Sequence, residues 1–433
     1  MPARFFQRTA YMVSVSASLA IAATLPARAE DPPPQLTGDW GGWRTELANR
    51  GIEFQIGYTE EAAGNASGGQ HNYVRAAGQL VLGSTLDLQK LFGVSGATMQ
   101  ITLTNRNGRN LSDDAGLNTL QQVQEVYGRG NIWRLTQFWY EQKAFDGAVA
   151  LKFGRVTLGE DFAAFSCNFQ NLTFCGSTPG NLAGNYWFNW PLSQWGARLK
   201  VKSGQVYVQA GAYQVSPRNS DPDRGFYLGW EQTSGALLPV EFGWTPTVGG
   251  LPGKYTATLW YDTSHANDVL RNRQGLPLAV YGGDPRREQG RYGVSFQFQQ
   301  QLTRPDVADP VRGLSAFLNI TQTDRRTSQT DNQIAFGLFY TGWLDSRPRD
   351  VMAIAIGRTQ VNGRYAENQA LANFNARGFL QRPEAEYAIE AYYNLNLHSG
   401  LDIRPNIQFI RHPGGITNAK DVLVLGVKAI VNL

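Results

Sequence analysis

Apolar and polar residues alternate one for one in short segments that recur from residue 52 to the end of this chain. Between Ala97 and Arg106, Ala97, Met99, Ile101 and Leu103 fall on one side. Thr98, Gln100, Thr102, Thr104 and Arg106 fall on the other. Tyr255, Ala257, Leu259 and Tyr261 oppose Lys254, Thr256, Thr258 and Asp262, and Tyr292, Val294, Phe296 and Phe298 oppose Arg291, Ser295, Gln297 and Gln299. A period of two is the side-chain period of a β-strand, so each segment is a strand with one greasy and one polar face. The pattern predicts sixteen strands, at 52–60, 73–88, 97–106, 132–143, 148–155, 195–202, 205–214, 238–244, 254–262, 290–301, 313–322, 333–343, 350–358, 384–397, 400–410 and 422–433. An even count lets one sheet close with both termini on the same side. Beyond residue 29 no run of eighteen apolar residues occurs, which excludes a helical membrane span.

The polar faces show what the greasy faces meet. Arg198, Lys200 and Lys202 share one face of a strand whose other face is Ala197, Leu199 and Val201. A lysine or arginine held against lipid at the bilayer midplane costs about 2–4 kcal/mol. Three of them would consume a typical protein's whole stability of about 5–15 kcal/mol. The greasy face therefore takes lipid and the polar face lines water: an all-β, transmembrane antiparallel β-barrel. Low charge (17%), many aromatics (12%) and 47 glycines suit this reading, though a soluble β-protein shares such a composition. Loop lengths sort by strand parity. The connections 107–131, 156–194, 215–237, 263–289 and 359–383 are long, whereas 89–96, 144–147, 203–204, 344–349 and 398–399 are short. This is the layout of short periplasmic turns and long extracellular loops. Tyr140, Trp244, Tyr261, Tyr292, Tyr340 and Tyr393 sit near strand ends, where aromatics girdle a membrane or simply pack a strand.

The ends add a location. Arg4 and Arg8, the apolar stretch 10–25 and Ala27-Arg28-Ala29 read as a secretory signal peptide over 1–29. Residues 30–51 read as a periplasmic tether with a short helix, and 52–433 as the barrel. The leader carries three arginines and no acid, which leaves 36 Lys+Arg against 35 Asp+Glu, so no nucleic-acid partner is implied. Alternation continues through Leu423, Leu425, Val427, Ala429, Val431 and Leu433, so the chain ends on a strand.

Several stretches resemble the carbohydrate-selective, OprB-type porin family. They are Leu36-Thr37-Gly38-Asp39-Trp40-Gly41-Gly42-Trp43-Arg44, Phe153-Gly154-Arg155 leading to Asp161-Phe162-Ala163, Cys167-Asn168-Phe169 through Phe174-Cys175-Gly176, Trp195-Gly196-Ala197-Arg198, Leu238-Pro239-Val240-Glu241 and His412-Pro413-Gly414-Gly415. They follow the family's order across nearly the whole chain after the leader. A final Leu433, where barrels of this kind usually end on an aromatic residue, departs from the pattern. The resemblance implies a sixteen-stranded outer-membrane pore for glucose and related sugars, working as a monomer or a homotrimer. Its last strand would be read by the barrel-assembly machinery. Neither cofactor nor metal is implied.

A sugar crossing a constriction sheds part of its hydration shell, and the wall must replace those hydrogen bonds without holding the sugar fast. The longest connection, 156–194, is the expected constriction loop, because it holds Glu160, Asp161, Phe162, Phe165, Tyr186, Trp187 and Trp190. Arg75, Arg106, Glu141, Arg155 and Asp161, with Trp187 and Trp190, are the expected eyelet, and Lys152, Arg198 and Lys200 the basic lumen wall. Gln79 and Trp139 face the same way. Strand parity gives direction but not height, so each charge also suits a solvated position away from the narrowest point, and the two tryptophans also suit packing the loop on the wall. Cys167 and Cys175 are the only cysteines in an exported chain, and a disulfide that staples the loop is expected. No nucleophile elbow, Walker loop or zincin motif accompanies the four scattered histidines. Two other readings stay open: a general or anion-leaning porin, on Arg198, Lys200 and Lys202, and a barrel for polysaccharide export or partner docking, on the Gln35–Arg50 segment.

Overall fold

The structure, a computed structural model, describes residues 35–378 and 381–433, so the signal peptide and the start of the tether lie outside the described residues. Sixteen strands form one closed sheet. They are β1 (Ile52–Ser67), β2 (Val74–Asp87), β3 (Ala97–Gly108), β4 (Trp133–Ala144), β5 (Val149–Val156), β6 (Gln194–Ser203), β7 (Val206–Val215) and β8 (Gly235–Trp244). The second half holds β9 (Leu251–Asn272), β10 (Pro285–Gln301), β11 (Gly313–Thr323), β12 (Thr330–Thr341), β13 (Val351–Val361), β14 (Ala385–His398), β15 (Leu401–Arg411) and β16 (Val422–Asn432). A two-residue ladder, Thr247–Val248 on Leu251 and Pro252, only trims the turn between β8 and β9. Neighbours pair antiparallel, and β16 pairs with β1 (Ala62 opposite Val427), so the sheet has no open edge to template pairing with another chain.

Alternation fixes the register, because a one-residue slip would turn every polar side chain to lipid. Thr258, Ser295, Thr321, Gln333, Thr359 and Glu386 are successive cross-strand partners, all turned inward. Thr258 is 0% exposed, and its outward neighbour Leu259 is 61% exposed. Glu60 departs from the rule: it faces outward and accepts a hydrogen bond from the Tyr58 hydroxyl. Two-residue turns at one rim use glycines with positive φ, Gly204 (56°) and Gly400 (77°), which hairpins this tight require.

All sixteen strands lie where alternation placed them, but some ends move. β9 runs on to Asn272 and β10 begins at Pro285, so the expected 263–289 loop shrinks to 273–284. The extension passes through Ser264, His265, Asn267 and Asp268, where both faces are polar and no greasy row marks a strand. At the rim that carries both termini, helix α1 (Trp43–Asn49) lies against the barrel. Arg44 donates to the Leu433 carbonyl at 2.7 Å, Lys90 donates to the Ala48 carbonyl at 3.0 Å, and Trp43 stays 62% exposed.

Candidate functional site: a loop-narrowed lumen

The buried core of this molecule lies inside the barrel, where two long loops fold back against the wall. In the 157–193 loop, Leu158, Phe162, Phe169, Trp187 and Phe188 are all 0% exposed. In the 109–132 loop, Leu111, Leu117, Val123 and Val126 are at most 1% exposed. Leu158, Phe162 and Trp187 pack on Tyr213, Leu237 and Trp260 of β7 to β9. Phe169 and Phe174 pack with Leu111, Leu117 and Val123 on Phe317, Ala335, Ala355, Ala388 and Tyr392 of β11 to β14. The lumen wall is therefore apolar where it receives loop side chains.

Inward carboxylates of the wall clamp the loop backbones. Glu390 accepts from the Gln170 and Asn171 amides at 2.9 and 2.7 Å. Glu241 accepts from the Ala163 amide at 2.6 Å, Glu386 from Leu120 at 2.7 Å, and Glu61 from Val126 at 3.2 Å. Each satisfies loop N–H groups that enter the lumen without a ladder partner. The 157–193 loop thus starts at β5 and is fastened to β14, across the barrel. The two loops also bond each other, Glu125 N to Gln170 O at 3.0 Å and Leu172 N to Gln122 O at 2.9 Å. A Cys167–Cys175 disulfide closes the tip. The Glu125 carboxylate lies beside it, but an oxidised pair offers no thiolate, so these three are not a metal site.

Two ionic groups flank the 157–193 loop. In one, Lys428 bridges Glu61 (3.0 Å) and Glu125 (2.7 Å), and Arg106 lies 3.8 Å from Glu125. Arg106 also donates to Gln79 at 2.8 Å, and the same Gln79 oxygen accepts from the Trp190 indole at 3.0 Å. In the other, Asp161 accepts from Lys152 at 2.7 Å and Arg198 at 3.3 Å, and Arg198 also pairs with Glu141. Lys152 lies 4.5 Å over the Trp139 ring. Glu160 next door accepts from Gln137 at 2.7 Å. Its side chain is exposed in the lumen, but the protein packed around it strips part of its water, and this desolvation pushes its carboxyl up to about 7. Lys152 opposes the shift and Asp161 adds to it.

The structure brings Arg106, Glu141, Lys152, Asp161, Trp190 and Arg198 together along the loop edge. Lys200 stands lower on β6, 4.0 Å over the Tyr207 ring. Arg75 pairs with Asp114 and so fastens the 109–132 loop. Besides Arg75, two more expected eyelet residues lie elsewhere. Trp187 is 0% exposed and packs on Trp260 with ring centroids 5.1 Å apart. Arg155, 4% exposed, donates to the Ser193 carbonyl at 2.6 Å and to Asn219 at 2.9 Å. Alternation sets Arg155 on the face of Leu151 and Phe153, opposite Lys152, so the lumen position expected of it did not follow from strand parity. The clamps Glu61, Glu241, Glu386 and Glu390 were absent from the expected set. A glutamate on the polar face of a lumen strand is visible in sequence, but the amide that meets it is not.

Comparison with known proteins agrees with this architecture. The family model described as "Carbohydrate-selective porin, OprB family" matches residues 71–433. Porin B of Pseudomonas aeruginosa is 42% identical over 412 residues, covering 91% of this chain and 90% of that protein. The high-pH structure of Pseudomonas putida OprB superposes with a TM-score of 0.90 at 40% identity, covering 93% of this chain and 99% of that one. The low-pH structure of the same protein gives 0.60 at 32% identity, covering 92% and 98%. With a closed sixteen-stranded wall, a polar lumen and two loops clamped across it, this chain belongs to the carbohydrate-selective porin family, as a sugar channel of the bacterial outer membrane.

Proposed function

We propose that the solutes are glucose and related neutral sugars, which diffuse passively past an eyelet formed by Arg106, Glu141, Lys152, Asp161, Trp190 and Arg198, with Gln79 and Trp139 between them. The observation that carries this reading is charge balance. Arg106 and Lys428 face Glu61 and Glu125, and Lys152 and Arg198 face Glu141 and Asp161. Compensated pairs offer many donors and acceptors but little net field, which suits a neutral polyol better than an anion. The half-buried rings of Trp139 and Trp190 add faces for the apolar side of a sugar ring. Passage needs no bond made or broken, so the protein acts without catalysis. Because the wall closes within one chain, a monomer and a homotrimer both suit this role, and β16 is the strand that the assembly machinery would read.

The test is liposome swelling with mono- and disaccharides against amino acids of similar size, paired with reversal potentials and glucose block in planar bilayers. Faster swelling with sugars and concentration-dependent block are expected. A channel that ignores glucose and prefers chloride would instead support the anion-leaning reading.

A further inference from the structure

A second polar space opens at the loop rim, away from the eyelet. Its volume is ≈ 610 Å³, within the range of about 300–1,000 Å³ typical of small-molecule sites. The walls come from the 109–132 and 157–193 loops, the 324–329 and 412–421 turns, and helix α2 (Gly363–Arg377), with Gln381 and Pro383. Tyr365, Gln369 and Asn373 of α2 recur every four residues and so share one helix face, which borders the cavity. Other positions of α2 hold it down. Arg364 pairs with Asp268, the Asn368 side-chain Oδ1 accepts from the Ala279 amide at 2.9 Å, and the Asn375 side chain donates to the Ala279 carbonyl at 2.9 Å. By contrast, the side chains of Tyr365, Gln369 and Asn373 make no hydrogen bond among the described residues. Across the cavity the Gln121 amide, 4% exposed, and the Asn185 amide are equally unpartnered. With no side-chain partner among the described residues, each of these amides keeps a donor and an acceptor free for a solute in the cavity. Arg291 reaches this space, but its charge is compensated by Asp262 and it lies 4.0 Å over the Tyr186 ring.

We propose that this vestibule is a weak capture site for a neutral mono- or disaccharide, placed before the eyelet on the loop side. The inference rests on the reading that sugars are the solutes. Amides each present a donor and an acceptor, as sugar hydroxyls do, while the absence of an uncompensated cation among the lining residues gives an anion no hold. Loading the entrance raises local sugar concentration without slowing exit, provided the site stays weak.

The test uses the full-length channel in planar bilayers, with maltose added to one side at a time. Gln369→Ala combined with Asn373→Ala keeps good helix formers on α2, so the rim should fold and salt conductance should not change. Loss of two sugar hydrogen bonds should raise the half-blocking maltose concentration from the loop side about five-fold or more. Block from the terminus side should shift less. Trp190→Ala, at the eyelet, should weaken block from both sides alike. An unchanged half-blocking concentration in the α2 double variant overturns the vestibule site and leaves the eyelet standing. No maltose or glucose block in the unaltered channel removes both.

Discussion

Replacing Glu390 should loosen the far end of the constriction loop without touching the barrel. Glu390 is 0% exposed, and its carboxylate accepts from two loop amides, Gln170 and Asn171, at 2.9 and 2.7 Å. Hydrogen bonds to a charged acceptor contribute about 1.5–3 kcal/mol each, so Glu390→Ala removes about 3–6 kcal/mol from this clamp and leaves two buried amides unpaired. Other ties remain: Asn171 still donates to Gln408 at 3.0 Å, and Ala163 is still held by Glu241. The loop should therefore open transiently rather than detach. A loss of about 3 kcal/mol raises the population of a locally open state roughly a hundredfold. Single-channel recording should show frequent upward conductance steps that the unaltered channel rarely makes, and liposomes should swell with saccharides formerly excluded. Glu390→Gln, which keeps one acceptor oxygen, should fall between the two. The barrel's own ladder is untouched, so heat-modifiable migration on gels should be preserved. An Ala variant with unchanged conductance, noise and exclusion limit would refute the idea that wall carboxylates hold the eyelet's shape.

Four further outcomes follow from the same geometry. As pH falls from 8 to 6, Glu160 takes up a proton near pH 7, and its group changes from three carboxylates (Glu141, Glu160, Asp161) against three cations (Lys143, Lys152, Arg198) to a net positive set; reversal potentials should shift toward anions, and Glu160→Gln should abolish that change. Replacing Cys167 and Cys175 with Ala frees a segment of separation 8, worth about 2–3 kcal/mol of constraint, and should raise open-channel noise; reductant should have the same effect on the unaltered chain. Arg198→Ala leaves Glu141 and Asp161 with less compensation and should shift reversal potentials toward cations. Trp187→Ala should cost about 3–5 kcal/mol of loop packing and expose the loop to protease, whereas Trp190→Ala should weaken sugar block with folding intact.

Strand number, direction and closure were legible because lipid and water impose opposite demands on alternate residues, and each greasy row such as Leu423 to Val431 repeats that demand. The far end of β9 was not, since Ser264 to Asp268 carry polar residues on both faces and leave no greasy row to read. The 157–193 loop was legible from its length and its aromatics. The 109–132 loop was not, although it also enters the lumen: its apolar residues Leu111, Leu117 and Val123 lack a period and read as ordinary loop. Ala335, Ala355 and Ala388 stand at inward positions where polar residues were expected, and only the docked Phe169 and Phe174 explain them. Trp187 and Trp190, three residues apart, carry the same sequence signal; which one meets the lumen depends on where Trp260 and Gln79 stand, and that is a tertiary fact.

The wall and the loops thus divide the work. A barrel closed by backbone ladders tolerates almost any inward side chain that is content in water or under a loop, so its shape places few limits on what passes. Selectivity must come from what crosses the lumen, and a loop there cannot borrow ladder partners for its amides. Inward glutamates supply them: Glu61, Glu241, Glu386 and Glu390 sit on three strands, β1, β8 and β14, and all meet loop N–H groups. Each clamp leaves a carboxylate in the lumen, and that charge needs an answer. Lys428 answers Glu61, whereas Glu241 is answered by four donors, the Ala163 amide, Tyr207, Gln209 and Thr258. Fastening the loop and neutralising the passage are therefore one requirement, and a channel built to meet it favours solutes that carry hydroxyls instead of charge.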